Sequence, residues 1–440
     1  MVRAQPGMDL GKHHYLGILI DITPVLDTDF IIWIKYSIMN KGGNMLPFVR
    51  LFDYGNITPE PLQIKKIIPT DTEVVVLYTD GQLYARGSNS FGKFGRGNNN
   101  AVRSWTLIRE NVKDCWMTQG TLLVQDKDLN YFYCGYGSHI GLETSTTSFL
   151  SYNQYIENLY TQSSSTSIKQ MYAGTTWFTF LMDNNTIWST GWNSARQFAD
   201  GTGTTYQISD GSFVKAVTPN VDIARIQSTN SCVMFYDTQN NLYIGGSTSG
   251  ISTTDTWTPY NQYTLYQPST TYTKTLQYVV CSIGAVSALV ENPSTGARQF
   301  LVGGNANNGA WGNNTTSSTA RAVLGNNSTT LPSGTYYSIH TGYAAQSSIL
   351  VTSNGVYATG LNASGYAGTL GVGSNVTIGK FTACPLPSEI TYSMYDKIKI
   401  YRGSYRTFLT ADMKNIYSTG TNDDGGPSTN RYVLDTPRQL

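Results

Sequence analysis

The chain has 440 residues, of which 13% are charged, and a formal net charge of +1. Charged side chains at about half the usual share leave the surface to neutral polar groups, and Asn, Thr, Ser, Gly and 31 Tyr are abundant. Lys65-Lys66 is the densest basic spot, so the sequence offers no basic cluster of the kind that holds phosphates and excludes a nucleic-acid partner bound electrostatically.

The first 44 residues match nothing later in the chain. They read in two ways: as a two-strand arm (about His14 to Thr23 and Phe30 to Met39) that anchors a partner, or as an over-extended reading frame that starts truly at Met45. The second reading rests on Lys41-Gly42-Gly43-Asn44, whose codons can spell a bacterial ribosome-binding site. No basic segment, apolar stretch and small-residue cleavage site follow one another here. The apolar runs Ile18 to Ile22 and Ile31 to Ile38 are interrupted by Asp21 and Lys35 and fall short of the ~20 residues of a spanning helix. The expectation is a soluble chain with no membrane partner.

From about residue 60 a short pattern recurs: an apolar run, a turn of Asp, Asn or Gly, an aromatic, two residues, then Gly. Its glycines are Gly87, Gly135, Gly191, Gly246, Gly303, Gly360 and Gly420, spaced 48, 56, 55, 57, 57 and 60 residues apart. The runs before them include Val74 to Tyr78, Phe178 to Met182, Cys232 to Tyr236, Ser348 to Thr352 and Thr407 to Thr410. Between run and aromatic lie Thr79-Asp80-Gly81, Asp183-Asn184-Asn185, Asp237 to Asn241, Ser353-Asn354-Gly355 and Asp412 to Asn415, all chemistries that accept tight hairpin turns. A further strand pair fills each interval, as in Trp105 to Ile108 followed by Val112 to Met117. Amphipathic helical periodicity is hard to find. Four strands per unit repeated seven times predict an all-β fold, a seven-bladed β-propeller of four-stranded antiparallel blades. The expected division is an arm over residues 1–44 and the propeller over 45–440. The C-terminal Thr436 to Leu440 reads as the opening strand of an eighth unit, which predicts terminal segments that share a blade and close the ring.

The first unit continues Tyr84-Ala85-Arg86-Gly87-Ser88-Asn89-Ser90-Phe91-Gly92-Lys93-Phe94-Gly95-Arg96-Gly97. The Asn two residues after the glycine returns at Asn193, Asn305, Asn362 and Asn422, whereas Gly137 and Thr248 stand there in the second and fourth units. The glycine-rich loop survives partly in Ala199-Asp200-Gly201 and Gly309-Ala310-Trp311-Gly312. Over residues 60–440 this resembles the regulator of chromosome condensation repeat, whose members form seven-bladed propellers. The resemblance implies a binding role: eukaryotic members are exchange factors for a small GTPase and bind chromatin, and some bacterial relatives inhibit β-lactamases.

Catalytic chemistry is scarce. His13, His14, His139 and His340 are the four histidines, and no Gly-x-Ser-x-Gly, phosphate loop or His-Glu-x-x-His is present. Cys115, Cys134, Cys232, Cys281 and Cys384 are scattered without Cys-x-x-Cys spacing and read as buried free thiols. Asp423-Asp424 and Asp126 with Asp128 read as turn residues, and the Asn-x-Ser/Thr sites at Asn56, Asn184, Asn314, Asn327, Asn362 and Asn375 as loop composition. No enzyme activity, cofactor or metal is expected. The candidate binding surface is the aromatic interval carrying Trp257, Tyr260, Tyr263, Tyr266 and Tyr272 among Thr, Ser, Pro and Asn, a mixture suited to sugars or proteins; packing between outer strands is its competing reading.

Low charge, neutral polar richness, free thiols and the missing export signal together predict a structural or adhesive component of a bacteriophage particle, located in the virion. Its partners would be other virion proteins and a host surface glycan or receptor. The alternative is a soluble propeller that regulates or inhibits a partner protein.

Overall fold

A computed structural model describes residues 35–39 and 45–49 by their backbone, and residues 62–228, 232–248, 258–280, 285–304, 309–312, 331–341 and 347–438. The chain divides into two units, Met1–Pro61 and Leu62–Leu440. In the first, strands Lys35–Met39 and Met45–Val49 pair antiparallel with Met39 opposite Met45.

The second unit is a seven-bladed β-propeller whose blades follow one another along the chain. Blade 1 runs through Ile64–Pro69, Glu73–Tyr78, Leu83–Gly87 and Val102–Arg109. Blade 2 runs through Val112–Met117, Thr121–Asp126, Tyr131–Gly135 and Thr146–Ser151. Blade 3 comprises Ile168–Ala173, Trp177–Met182, Ile187–Gly191 and Val214–Lys215. Blade 4 comprises Ile223–Ser228, Cys232–Asp237, Leu242–Thr248 and Thr258–Tyr266. In blade 5 the described residues supply three strands, Lys274–Val280, Ala285–Glu291 and Arg298–Gly304. Blade 6 is Tyr336–Thr341, Ser347–Thr352, Gly355–Gly360 and Ile378–Ala383. Blade 7 is Lys399–Arg402, Arg406–Thr410, Tyr417–Gly420 and Thr429–Leu434.

The first strand of each blade is innermost. The second is buried on both faces, every residue of Trp177–Met182 and Cys232–Asp237 included, which is why these strands read as continuous apolar runs rather than alternating ones. Seven apolar clusters fill the ring, one in each seam between neighbouring blades. The pair anticipated at Trp105 to Ile108 and Val112 to Met117 is divided between blades, the first forming part of the outer strand of blade 1 and the second the inner strand of blade 2. One feature escaped the periodicity: helix α1, Asn153–Ser163, which buries Ile156 and Leu159 in the seam between blades 2 and 3. Only Ile156, Leu159 and Ser163 are buried on it, too narrow a stripe to stand out in the sequence.

The repeat residues have two local jobs. The motif glycine ends the third strand with positive φ, 134° at Gly87 and 131° at Gly420. A Cβ there would run into the carbonyl oxygen just before the second strand, that of Thr72 or Tyr405, so only glycine permits the close pass. The following Asn staples the loop. Asn89 Nδ2 donates to the Asn98 carbonyl at 2.9 Å while its Oδ1 accepts from the Phe94 N–H at 2.9 Å. Asn193 and Asn362 repeat this with Thr204 and Phe198, and with Ser374 and Leu370. Each staple buries an apolar plug, Phe94, Phe198 or Leu370, between blades.

Ring closure corrects an expectation. No strand is shared between the chain ends among the described residues; Thr429–Leu434 completes blade 7 without help. The seam between blades 7 and 1 is latched by side chains. Arg86 donates to both carboxylate oxygens of Asp435, at 2.6 and 2.7 Å, and to Asp424 at 3.0 Å. Arg406 Nε donates to the other Asp424 oxygen at 2.9 Å. Trp105 lies 4.3 Å beneath the Arg86 guanidinium and donates its Nε1–H to Asp435 Oδ1 at 3.1 Å. Asp424, which reads as a turn acid in the sequence, is therefore half of a buried latch, with Arg86, Arg406, Asp424 and Asp435 all under 9% exposed.

Candidate functional site

An inner strand has its partner on one side only, and its free backbone edge faces the centre of the ring. Here long polar side chains of one blade satisfy the inner-strand backbone of the next. Lys66 Nζ donates to the Cys115 carbonyl at 2.7 Å, Lys169 to Ile223 at 2.7 Å, and Arg225 to Leu276 at 2.7 Å. Gln170 grips Ile226 twice, accepting from its N–H at 2.7 Å and donating to its carbonyl at 3.2 Å. Gln227 reaches the Tyr278 carbonyl, and the Ile339 N–H donates to Gln277. The wall that results belongs to all seven blades and encloses a central channel of about 820 Å³.

The channel overturns the expectation that no basic cluster exists. Lys65, Lys66, Lys113, Lys169 and Arg402 line it, with Asp114 the one carboxylate among the described lining residues. Asp114 is held by Lys66 at 2.8 Å, and Lys66 also sits 4.7 Å over the Trp116 ring. The cluster was hidden because its members are separated in sequence by a whole unit. A signal was available: Lys65, Lys113 and Lys169 each precede their motif glycine by 22 residues, so aligned units put the three lysines in register.

On the opposite ends of the blades, the loops after the motif glycines bring aromatics of blades 1 to 3 together. Phe91 is 51% exposed, is held at φ 63°, and stacks on Tyr136 with ring centroids 4.9 Å apart. Tyr136 meets His139 edge-on, and His139 meets Trp192. Neither Phe91 nor this row is evident in the sequence, since the positions after the glycines differ from unit to unit.

The aromatic interval proposed from sequence is placed as follows. Tyr263 is a core side chain that meets Phe235 edge-on at 4.9 Å. Tyr260, Tyr266 and Tyr272 pack, half-buried, against the seam between blades 4 and 5, where Tyr266 contacts the fully buried Tyr278. Trp257 lies outside the described residues. These four tyrosines are thus on or against the outer part of blade 4 rather than gathered into a cleft.

The described histidines and thiols, and the Lys93–Glu73 pair, are committed to structure. Burial, aided by Lys93, pushes His139 down to about 4, and its Nδ1 lies 3.0 Å from Thr118 Oγ1. Burial and Arg402 push His340 down to about 3, beside Ser338 Oγ at 2.9 Å. Both imidazoles are neutral near pH 7 and poor proton donors there. Burial pushes the Cys115 and Cys384 thiols up to about 12, which removes them as nucleophiles; Cys134 and Cys232 are also buried and free, and Cys281 lies outside the described residues. Lys93 is fully buried in the seam between blades 1 and 2, 3.0 Å from Glu73. Burial opposes the Glu73 charge, but Lys93 and hydrogen bonds from Ser88 and Thr70 outweigh it and hold the carboxyl below its ordinary range. Among the described residues no three His, Cys, Asp or Glu are placed to hold a metal ion, and no helix is long and apolar enough to cross a membrane.

No known family pattern matches the sequence, and no curated protein sequence matches it. Solved structures do match the fold. Human WBSCR16 is 14% identical with a TM-score of 0.58, over 83% of this chain and 90% of that one. Yeast RCC1 (Prp20), solved bound to Kap60, is 14% identical with a TM-score of 0.58, over 84% and 85% of the two chains. Prp20p from Saccharomyces cerevisiae, in a structure described together with its binding to Gsp1p and histones, is 12% identical with a TM-score of 0.59, over 85% and 87%. The likeness is one of fold. It places the regulator of chromosome condensation repeat among this chain's structural neighbours, as the loop sequence of the first unit implies.

Proposed function

We propose that this chain is a non-enzymatic propeller that works by binding protein. The observation that carries the proposal is Phe91, an exposed aromatic fixed in a left-handed backbone conformation and backed by Tyr136. A rigid, presented ring loses little entropy on contact and is the usual anchor of a protein interface. The spent state of the described histidines and thiols supports binding over chemistry, and structural neighbours solved or described with protein partners support it further.

The finer reading is a structural or adhesive component of a bacteriophage particle, residing in the virion and meeting other virion proteins, with a host receptor or glycan as the adhesive target. Composition supports it: 13% charged residues suit a protein that is buried in an assembly, and a closed ring leaves few strand edges exposed. Mass spectrometry of density-purified virus particles from the source organism tests this. A fixed ratio to the capsid protein supports the particle role. Absence from intact particles overturns it and leaves a soluble regulated partner, to be sought with wild type and Phe91→Ser side by side. Phe91→Ser is expected to weaken capture of the partner about tenfold; equal capture by the two proteins removes Phe91 as the anchor.

A further inference from the structure

We infer that the partner presents an acidic polypeptide segment to one mouth of the central channel, an inference that rests on the protein-binding reading above. Six inner strands carry a bulge near their start, between Ile64 and Lys66, Val112 and Asp114, Ile168 and Gln170, Ile223 and Arg225, Thr275 and Gln277, and Tyr336 and Ser338. A bulge re-aims its extra residue away from the regular ladder. In blades 1, 2 and 3 that residue is Lys65, Lys113 and Lys169; in blades 4, 5 and 6 it is Ala224, Leu276 and Tyr337. Blade 7, which meets blade 1 by closure, begins its inner strand with Lys399.

Three consecutive blades therefore set a bulged lysine at the same channel mouth, and blades 4, 5 and 6 do not. All three lysines are exposed, as is Lys399 at the start of the blade 7 inner strand. Lys65 is anchored on the Lys113 carbonyl at 2.6 Å and Lys169 on the Ile223 carbonyl at 2.7 Å, which fixes each ammonium at the rim and leaves it further donors. Among the described lining residues no carboxylate neutralises the arc from inside, because Asp114 is taken by Lys66. The hairpin carboxylates at this end are turned to other work: Asp80 to Arg438, Asp126 to Asn130, Asp183 to Ser165, Thr166 and Ser167, and Asp412 to Asn415. Glu110, Asp128, Asp222 and Asp396 are exposed at its edges. An arc across three of seven blades is longer than a single carboxylate or phosphate can bridge. It matches a run of Asp and Glu side chains laid along the mouth, held by point-charge ammonium groups that steer and orient rather than clamp.

The test is fluorescence anisotropy of a fluorescein-labelled peptide of about ten glutamates against the full chain at low salt, with inorganic tripolyphosphate as competitor. Wild type is expected to bind the peptide and release it as salt rises. A Lys65→Gln, Lys113→Gln, Lys169→Gln triple variant, checked for an unchanged melting temperature, is expected to bind about tenfold more weakly. A control with outer-strand lysines changed, Lys215→Gln and Lys380→Gln, is expected to match wild type. No peptide binding, equal loss in the control, or displacement by tripolyphosphate at concentrations where the peptide does not compete would overturn the inference, the last in favour of a small polyanion. If wild type and the triple variant capture the protein partner equally, the acidic segment fails while protein binding stands. If the peptide binds through the arc and no protein is captured, the protein-binding reading fails instead.

Discussion

Two seams of the ring solve the same packing problem with different chemistry. Between blades 2 and 3 the contact is apolar and aromatic: Tyr152, Leu159, Phe178, Phe180 and Trp188 interlock around helix α1. Between blades 7 and 1 a smaller apolar cluster, with Ile64, Val76 and Phe408, is joined to the four-residue ionic latch. Blades 2 and 3 are joined by the chain itself, so non-directional burial is enough to hold them. The closing seam joins residues more than 330 positions apart, and its partner must be found in one register. Directional, charge-assisted bonds supply that register, at a desolvation cost that makes them weak sources of net stability but costly to break from one side.

The largest effect should come from breaking the latch asymmetrically. Arg86→Ala leaves the buried Asp435 without its cation and Asp424 with Arg406 alone, and a loss of about 4 kcal/mol is expected by urea unfolding. Arg86→Met combined with Asp435→Leu is expected to recover most of it, and a single variant within 1 kcal/mol of wild type would mean that burial alone closes the ring. In the other seam, Leu159→Ala is expected to cost about 3 kcal/mol, without the recovery that a second charge-removing change gives the latch. Removing a loop staple is smaller: Asn362→Ala leaves the buried Leu370 N–H without its acceptor and should cost about 2 kcal/mol, seen as faster amide exchange in that loop.

Acid should separate the seams most finely. His139 packs on Trp192 beside the seam between blades 2 and 3, and its folded-state value is depressed to about 4. The unfolded chain then takes up protons that the folded chain refuses, so stability is complete above pH ~6.5 and falls by about 1.4 kcal/mol per unit between there and pH ~4. His340 adds a parallel loss over the same descent. In the latch, burial opposes the Asp435 charge but Arg86 outweighs it and holds the carboxyl below its ordinary range, so its contribution persists until pH falls below the ordinary carboxylate value of about 4. Melting temperature against pH should therefore begin to fall at pH ~6.5, and fall about half as steeply in His139→Gln, where His340 carries the remaining descent.

The fold was legible because its repeat is local. The glycine at Gly87 or Gly420, the Asn at Asn89 or Asn362 and the hairpin residues between them act within one blade, so the physics that selects them leaves a mark at a regular spacing. Even the staple was visible as a recurring Asn, although its pairing with the Phe94 or Leu370 N–H was not. Helix α1 was missed because a narrow buried stripe carries little periodic signal.

What joins one blade to another left a much weaker trace. Arg86 stands inside a repeat motif and looks like any strand residue; Asp424 looks like a turn; Asp435 stands near the chain end. Lys65, Lys113 and Lys169 are ordinary surface lysines until bulges at the same point of three inner strands carry them to one mouth. The sequence by itself determined the number of blades, their hairpins and the apolar second strands, since each depends on neighbours a few residues away. Only the tertiary structure decided the latch, the channel and its basic arc, because charges from separate units meet there only once the ring has closed.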